Sequence, residues 1–544
     1  MDADRAALNR LPRWLLPMLA LVPVAGIALF YAFPLVTLLA RVVRPSSVRD
    51  AWHVPGIANV VWFTLWQAVV STVLTMVIGC APAYVLARYR FAGRRAALAV
   101  VTVPFMLPTV VVGAAFLALL PSTWHGTARA IILAHVFFNV AVVVRLVGGM
   151  WAVLPTDLTA AARTLGASPS QVLRHVVMPL LRPAMWAAAT VVFLFTFTSF
   201  GVVRILGGVA NPTLEVEIAR RATQLGDVDT AAVLSVLQLL VLGIVVWWSA
   251  RWQRRAATTF RGAAAPRRVR TARERRMVVG VVSATVALML LPIVLLVLRS
   301  VRLGGGWSLT AWRTLGNDQV RPGVGLGVDP LGSLATSLRF AAVATVISVV
   351  AGAAAALTIA AARRHGKLLD VGLMLPLGTS AVTIGLGLLI TFDHAPIDWR
   401  GSWWLVPVGH ALVATPFVVR AVLPVLRSVH PHQRAAALTL GAPPLRAWWE
   451  TEVRRITRPL LTGAGFAAAI SLGEFGATTF LSRSGHDTVP LAIDTLLART
   501  GEVPRAQGFA LATILLIACA VIVVVVDTPH AGERQGVRSD ARRS

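Results

Sequence analysis

LTAAARTLGASPSQVLRHVVMPLLRPAM, residues Leu158 to Met185, is the stretch on which the reading of the chain turns. It lies between two long apolar runs, yet it is amphipathic, carries Arg163, Arg174 and Arg182, and breaks at Gly166. A near-copy, HQRAAALTLGAPPLRAWWETEVRRITRPLL, begins at His432. One short polar insert, used twice between apolar runs, calls for a partner at the membrane surface.

Working outward, the 544 residues are 57% hydrophobic and 14% charged, with a mean hydropathy of +0.74. That is too apolar for a soluble globule of this size, so the chain reads as an all-α integral membrane protein. The net charge of +28 does not point to nucleic acid, because the basic residues fall in short loops where they orient helices. Cys80 and Cys519 both lie in apolar runs, so neither a disulfide framework nor a thiolate metal site is expected. His430 and His432 flank Pro431 without acidic or cysteine partners, and no metal site is read there.

A bilayer core needs about 20 apolar residues per helix. On that rule about 12 spans are expected, near residues 14–40, 59–87, 97–120, 129–150, 184–206, 229–250, 277–298, 333–361, 368–391, 403–426, 460–482 and 506–526. The first is longer than a signal-peptide core and lacks a clear small-residue cleavage site, so it is read as a retained helix. With both termini cytoplasmic, thirty-three of the 51 lysines and arginines fall on the cytoplasmic side, the bias that orients membrane helices. Ten arginines against the single acid Glu274 mark 251–276 as a basic cytoplasmic linker, a solvated, lipid-facing charge run.

The halves repeat. Adding 275 carries His135 to His410, Arg145 to Arg420, Gly166 to Gly441 and Ser199 to Glu474; adding 273 carries Gly79 to Gly352 and Gly93 to Gly366. Six helices per half, in the same order and orientation, make two parallel repeats related by an axis along the membrane normal. Within each insert, Ala160, Ala161 and Ala162, or Ala435, Ala436 and Ala437, lead to Leu165-Gly166-Ala167 or Leu440-Gly441-Ala442. Glycine closes the helix in a left-handed conformation, and Ser168-Pro169 or Pro443-Pro444 restarts the chain. Each insert therefore reads as two short helices and a tight turn, with small residues that let another surface come close.

These residues resemble the EAA loop of ABC-importer permeases: Glu-Ala-Ala, three residues, Gly, nine residues, then Ile-x-Leu-Pro. The first copy gives Ala160-Ala161-Ala162, Gly166 and Val176-Val177-Met178-Pro179; the second keeps Ala436, Ala437 and Gly441 but has Arg454 where the proline falls. Alanine stands for the glutamate in both. The resemblance covers nearly the whole chain and is closest to fused permeases of the thiamine and ferric-iron importers, through FTLWQAVVSTVL from Phe63, ILAHVFFNVAVVVRL from Ile132, TSFGVVRILGG from Thr198 and SLGEFGATTF from Ser471.

That resemblance implies the type I importer permease fold. It gives a first permease domain at 1–250 with its loop at about 155–183, the linker at 251–276, a second domain at 277–527 with its loop at about 429–459, and a disordered cytoplasmic tail at 528–544. It implies docking of two ATPase subunits on Ala161, Ala162, Leu165, Gly166, Ala167 and Pro179, and on Ala436, Ala437, Leu440, Gly441 and Ala442. It further implies delivery of a small cationic solute by an extracytoplasmic binding protein into a bacterial inner membrane, with thiamine ahead of ferric iron. ATP and Mg would be bound by the partners, with no cofactor in this chain: Lys367, the only lysine, is followed by Leu368, which rules out a Walker A loop. A secondary transporter with parallel six-helix repeats is the alternative of another class.

Charged or polar residues inside spans are costly and therefore informative. Glu474, between Gly473 and Gly476, is a candidate for the path of a cationic solute, with Ser199 its counterpart in the first half. His135 and Asn139 share one helix face and read first as interhelical hydrogen-bonding groups, with a path role as the second reading. Arg145 and Arg420 are expected to snorkel or pair, and Trp403, Trp404, Trp448 and Trp449 to anchor at the interfaces.

Overall fold

The computed structural model describes residues 14–42, 45–255, 266–317, 319–321, 324–362, 365–394, 397–483 and 485–527. The expected tail at 528–544 and the middle of the linker lie outside them. The first half contains α1 (Leu15–Val42), α2 (Ile57–Arg88), α3 (Arg94–Met106), α4 (Thr109–Leu119), α5 (Ala128–Val153), α6 (Thr156–Thr164), α7 (Pro169–Phe197), α8 (Gly201–Leu206), α9 (Leu214–Arg220) and α10 (Val228–Arg255). The second half follows the same plan: α11 (Ala272–Ser300), α12 (Pro330–Ala361), α13 (Gly366–Gly378), α14 (Ala381–Thr391), α15 (Leu405–Ser428), α16 (Pro431–Thr439), α17 (Pro444–Trp448), α18 (Thr457–Gly473), α19 (Gly476–Leu481), α20 (Val489–Ala498) and α21 (Glu502–Asp527).

Among the described residues nine helices are long and apolar enough to cross a bilayer. The other three expected runs are helical but interrupted. The run at 97–120 is the pair α3 and α4, bent by 106°, and that at 368–391 is α13 and α14, bent by 100°. The first bend follows from Pro108, which holds Leu107 extended at ψ 142°. At the second, Ser380 restarts the chain, its Oγ accepting from the Val382 amide at 3.1 Å. The third, at 460–482, stops at Gly473 after 17 residues; the run at 184–206 belongs to one of the nine helices, which ends at Phe197.

Each half is built on a close parallel pair. A Cβ on Gly79 of α2 would lie 2.8 Å from Val143 of α5, and one on Gly352 of α12 would lie 2.7 Å from Val418 of α15. Only hydrogen at these positions lets the helices pack backbone to side chain. Because α2 and α5 run parallel, as do α12 and α15, the segments after Arg88, Val153, Ala361 and Ser428 all emerge on one face, the face that carries both polar inserts.

The first helix of each half lies on the other half. Tyr31 of α1 hydrogen-bonds Thr379 Oγ1 at 2.6 Å, and Phe30 joins Phe392, Trp399 and Trp404 in an aromatic cluster. In return α11 packs on α4 and α21, where Arg299 Nε donates to the Ala118 carbonyl at 3.4 Å. The exchange ties the two repeats together along their outer surfaces.

Candidate functional site

The two inserts adopt the same turn. In the first, the Gly166 amide donates to the Arg163 carbonyl at 3.0 Å and the Ala167 amide to the Ala162 carbonyl at 3.0 Å; in the second, Gly441 donates to Leu438 at 3.1 Å and Ala442 to Ala437 at 3.0 Å. Both glycines have φ 85°. This is the Schellman closure, which satisfies the last carbonyls of α6 and α16. The turn leaves Leu165 and Leu440 each 88% exposed, a leucine held out in water at the tip of each insert. Neighbouring Ala161, Ala436 and Gly441 are also exposed.

After the turn the copies differ. Ser168 and Gln171 form a reciprocal capping box, with Gln171 N to Ser168 Oγ at 3.3 Å and Ser168 N to Gln171 Oε1 at 2.8 Å. Pro443 has no such side chain. The second insert is braced instead by buried Arg434, whose Nη1 lies 3.3 Å from Glu452 Oε1. Burial pushes the Glu452 carboxyl above the usual carboxylate range despite Arg434, and lowers the Arg434 guanidinium from its ordinary value. The matching positions in the first insert are Thr159 and Val177. Pro179 lies inside α7 directly after a wide π-helical turn at Leu173–Val177, where the regular hydrogen-bond ladder is already interrupted.

The second feature lies between the halves. Ser199 and Glu474 stand at the breaks after α7 and α18, and the next residues, Phe200 and Phe475, meet ring to ring with centroids 4.9 Å apart. Both are buried. They are copies of each other under the offset of 275, and in two repeats related by a twofold axis a residue touches its own copy only on that axis. Beside them Gly473 packs on Pro108, where a Cβ would come within 2.9 Å. Since α7 rises for 20 residues from Met178, about 30 Å at 1.5 Å per residue, this closure lies toward the face opposite the inserts.

On the insert face a cavity of about 930 Å³ opens between the halves. Arg94, Arg145 and Met106 of the first half line it with Thr462 and Phe466 of the second. Arg145 donates to Thr102 Oγ1 at 3.3 Å, and its copy Arg420 lies 3.7 Å from Asp370, so both arginines have local partners as expected. At the opposite face Arg204 of α8 bonds both carboxylate oxygens of Asp494 on α20, at 3.2 and 3.0 Å, a second link between halves.

The residues singled out for a solute path are placed differently from one another. Glu474 is buried and fully engaged: it accepts from the amides of Ala477 and Thr478 at 3.0 Å each and from the Thr478 hydroxyl at 2.8 Å, capping α19. His410 joins this network through Thr478 and Ser471, each at 2.8 Å. The first half keeps the histidine but has Ser199 and Val203 for Glu474 and Thr478, while Thr196, the copy of Ser471, turns its hydroxyl to the Val192 and Phe193 carbonyls. His135 accordingly has only a long contact to Ser71 at 3.4 Å, and its Nε2 has no partner among the described residues; Asn139 Nδ2 bonds the His135 carbonyl at 2.9 Å. The structure thus brings Ser199 and Glu474 to the axis through their neighbours and leaves His135 and Asn139 within the α2–α5 packing. The Phe200–Phe475 contact was not read from the sequence, although the offset that matched Ser199 with Glu474 already contained it.

Two parallel membrane repeats, swapped first helices, paired surface turns and a closure on the pseudo-twofold axis define a duplicated transport permease. The sequence places it: residues 75–259 and 348–528 each match the family described as binding-protein-dependent transport system inner membrane component, and the chain belongs to that family. It is similar along most of its length to the thiamine transport system permease protein ThiP of Salmonella typhimurium, 25% identical with 95% of this chain and 97% of the relative covered. The protein of the same description from Brucella abortus is 26% identical over 87% of this chain and 88% of the relative. The chain is therefore a multi-pass membrane permease of the ABC-importer type, which sets aside the secondary-transporter alternative.

Proposed function

We propose that the chain is the permease of a thiamine importer, powered by separate ATPase subunits that dock on the two inserts and supplied by a binding protein on the opposite face. The observation that carries the coupling part is the pair of identical turns, which present Leu165 and Leu440 on one face with the same backbone geometry. An exposed leucine flanked by alanines offers an apolar knob that a cleft in a partner can cover, and two copies suit a twofold ATPase pair. ATP and Mg belong to those partners. The excess of basic residues in the loops of the same face supports reading it as the cytoplasmic one, with both termini inside.

Transport follows from the geometry by alternating access. With Phe200 against Phe475 and the cavity open beneath, the path is closed away from the inserts. Closure of the ATPase pair moves the inserts together; α7 and α18, which run directly from them, part the two phenylalanines and close the cavity. Glu474 holds the start of α19 and so fixes Phe475, while its carboxylate supplies negative charge beside the path of a cation. The similarity to thiamine permeases over 95% of the chain favours thiamine as that cation. The test is ATP-dependent uptake by the complex reconstituted with its ATPase and binding protein: labelled thiamine accumulates and excess ferric complex does not compete. Competition by ferric iron with no thiamine uptake overturns the cargo; uptake without ATP overturns the mechanism.

A further inference from the structure

Outside the transport path, the insert face carries a second large cavity, about 1070 Å³, on the outer flank between α3 and α11. Its mouth is ringed by Arg90, Arg268 and Arg275, all exposed and with no ion-pair partner among the described residues. Its wall toward the bilayer interior is apolar, with Val100 on α3 and Val282 and Val286 on α11. From Arg275 to Val286 is 11 residues of helix, about 16 Å along the membrane normal. Among the described residues no acidic side chain lines the cavity. The nearby Glu274 is already engaged, 2.7 Å from Arg267 and bonded to the Arg270 amide at 3.0 Å.

We propose that this cavity binds one anionic glycerophospholipid, its phosphate headgroup on Arg90, Arg268 and Arg275 and an acyl chain along Val100, Val282 and Val286. A cluster of cations above an apolar groove at the membrane surface matches such a lipid at both ends, whereas a soluble phosphate ester would leave the groove unfilled. The site is also a seam. Arg267 and Arg268 pair as a parallel strand with Tyr89 and Arg90, and Arg267 bonds Tyr89 Oη at 2.6 Å, so the end of the basic connector is clipped to the end of α2. The lipid thus spans connector, first half and the first helix of the second half, and steadies their junction.

The experiment is native mass spectrometry of the full chain released from nanodiscs containing phosphatidylglycerol and phosphatidylcholine, with thermal melting of the same samples. Wild type retains one phosphatidylglycerol in preference to phosphatidylcholine, and Arg90→Gln/Arg268→Gln/Arg275→Gln lowers its retention on the order of a hundredfold, the equivalent of about 1 kcal/mol of headgroup attraction per arginine. These arginines are exposed, so the variant folds, and Arg163→Gln/Arg174→Gln/Arg446→Gln, which removes equal charge from the inserts, retains the lipid and its melting shift. The proposal is overturned if the first variant keeps the lipid, if the second loses it equally, if phosphatidylcholine is held as well, or if sn-glycerol 3-phosphate alone displaces it.

Discussion

Phe200 and Phe475, 275 positions apart and each the other's copy, are in contact at 4.9 Å, and that contact marks the axis between the two halves of the permease. A path between two halves must pass their axis, so the pair stands where a solute would cross. Replacing either ring with alanine removes a buried aromatic contact worth about 0.5–1.5 kcal/mol beyond its area. Phe200→Ala and Phe475→Ala are expected to raise solute leak and basal ATPase activity of the reconstituted complex. The double variant should leak little more than either single one, because one ring cannot close the axis alone; additive leak would argue against a shared gate.

The turn at each insert rests on a glycine at φ 85°, and a Cβ there meets nothing within 4 Å. Gly166→Ala and Gly441→Ala therefore add backbone strain of about 1–2 kcal/mol without a clash. The expected result is a permease that reaches the membrane with an unchanged melting temperature in its spans but retains less ATPase on purification. Leu165→Ala and Leu440→Ala should weaken retention with no strain at all, and full retention in all four variants would exclude the inserts as docking elements.

The brace in the second insert can be exchanged for the solution used in the first. Glu452→Ala leaves Arg434 buried without its partner and is expected to destabilise the insert by about 3–5 kcal/mol. Arg434→Thr/Glu452→Val, which copies Thr159 and Val177, should recover most of that loss. Hydrogen exchange across α16 and α17 reads both effects, and an unprotected double variant would show that the copies are not structurally interchangeable.

Two carboxylates should respond to pH with opposite sign. Burial raises the Glu452 carboxyl, so its contribution to stability is full below the ordinary carboxylate value and is lost as pH rises through the raised folded value. Asp227 is lowered: burial opposes this, but bonds from Thr230 and Arg221 prevail, so its contribution is present above the ordinary value and is lost as pH falls through the folded one. Acidification should therefore loosen the Asp227 turn while it steadies the second insert, and exchange rates at the two sites measured between about pH 7 and pH 3 check the opposite signs.

The fold was legible in the sequence because bilayer crossing imposes length and composition on every span, and because the inserts repeat with a constant offset. Gly166, Gly441 and Ser168 announced their turns through local backbone chemistry. What stayed hidden was the continuity of the spans: apolar composition does not register that Leu107-Pro108 bends a run by 106° or that a helix stops at Gly473. Tertiary contacts were hidden for another reason. Glu474 reads as an isolated charge, and only the fold supplies the amides of Ala477 and Thr478 and the ring of His410 that occupy it. Phe200 and Phe475 look like ordinary apolar residues until the axis is known.

The central claim is that ATP-driven opening at the axis carries the solute. Phe200→Cys/Phe475→Cys, joined by a short bis-maleimide, tests it in vesicles holding the permease, its ATPase and its binding protein, with uptake of labelled thiamine as the readout. Before cross-linking, ATP-driven uptake is expected to persist on top of the leak that loss of the rings causes; after it, uptake is expected to be abolished with the ATPase still bound. Uptake that continues at its original rate with the cross-link complete would contradict it.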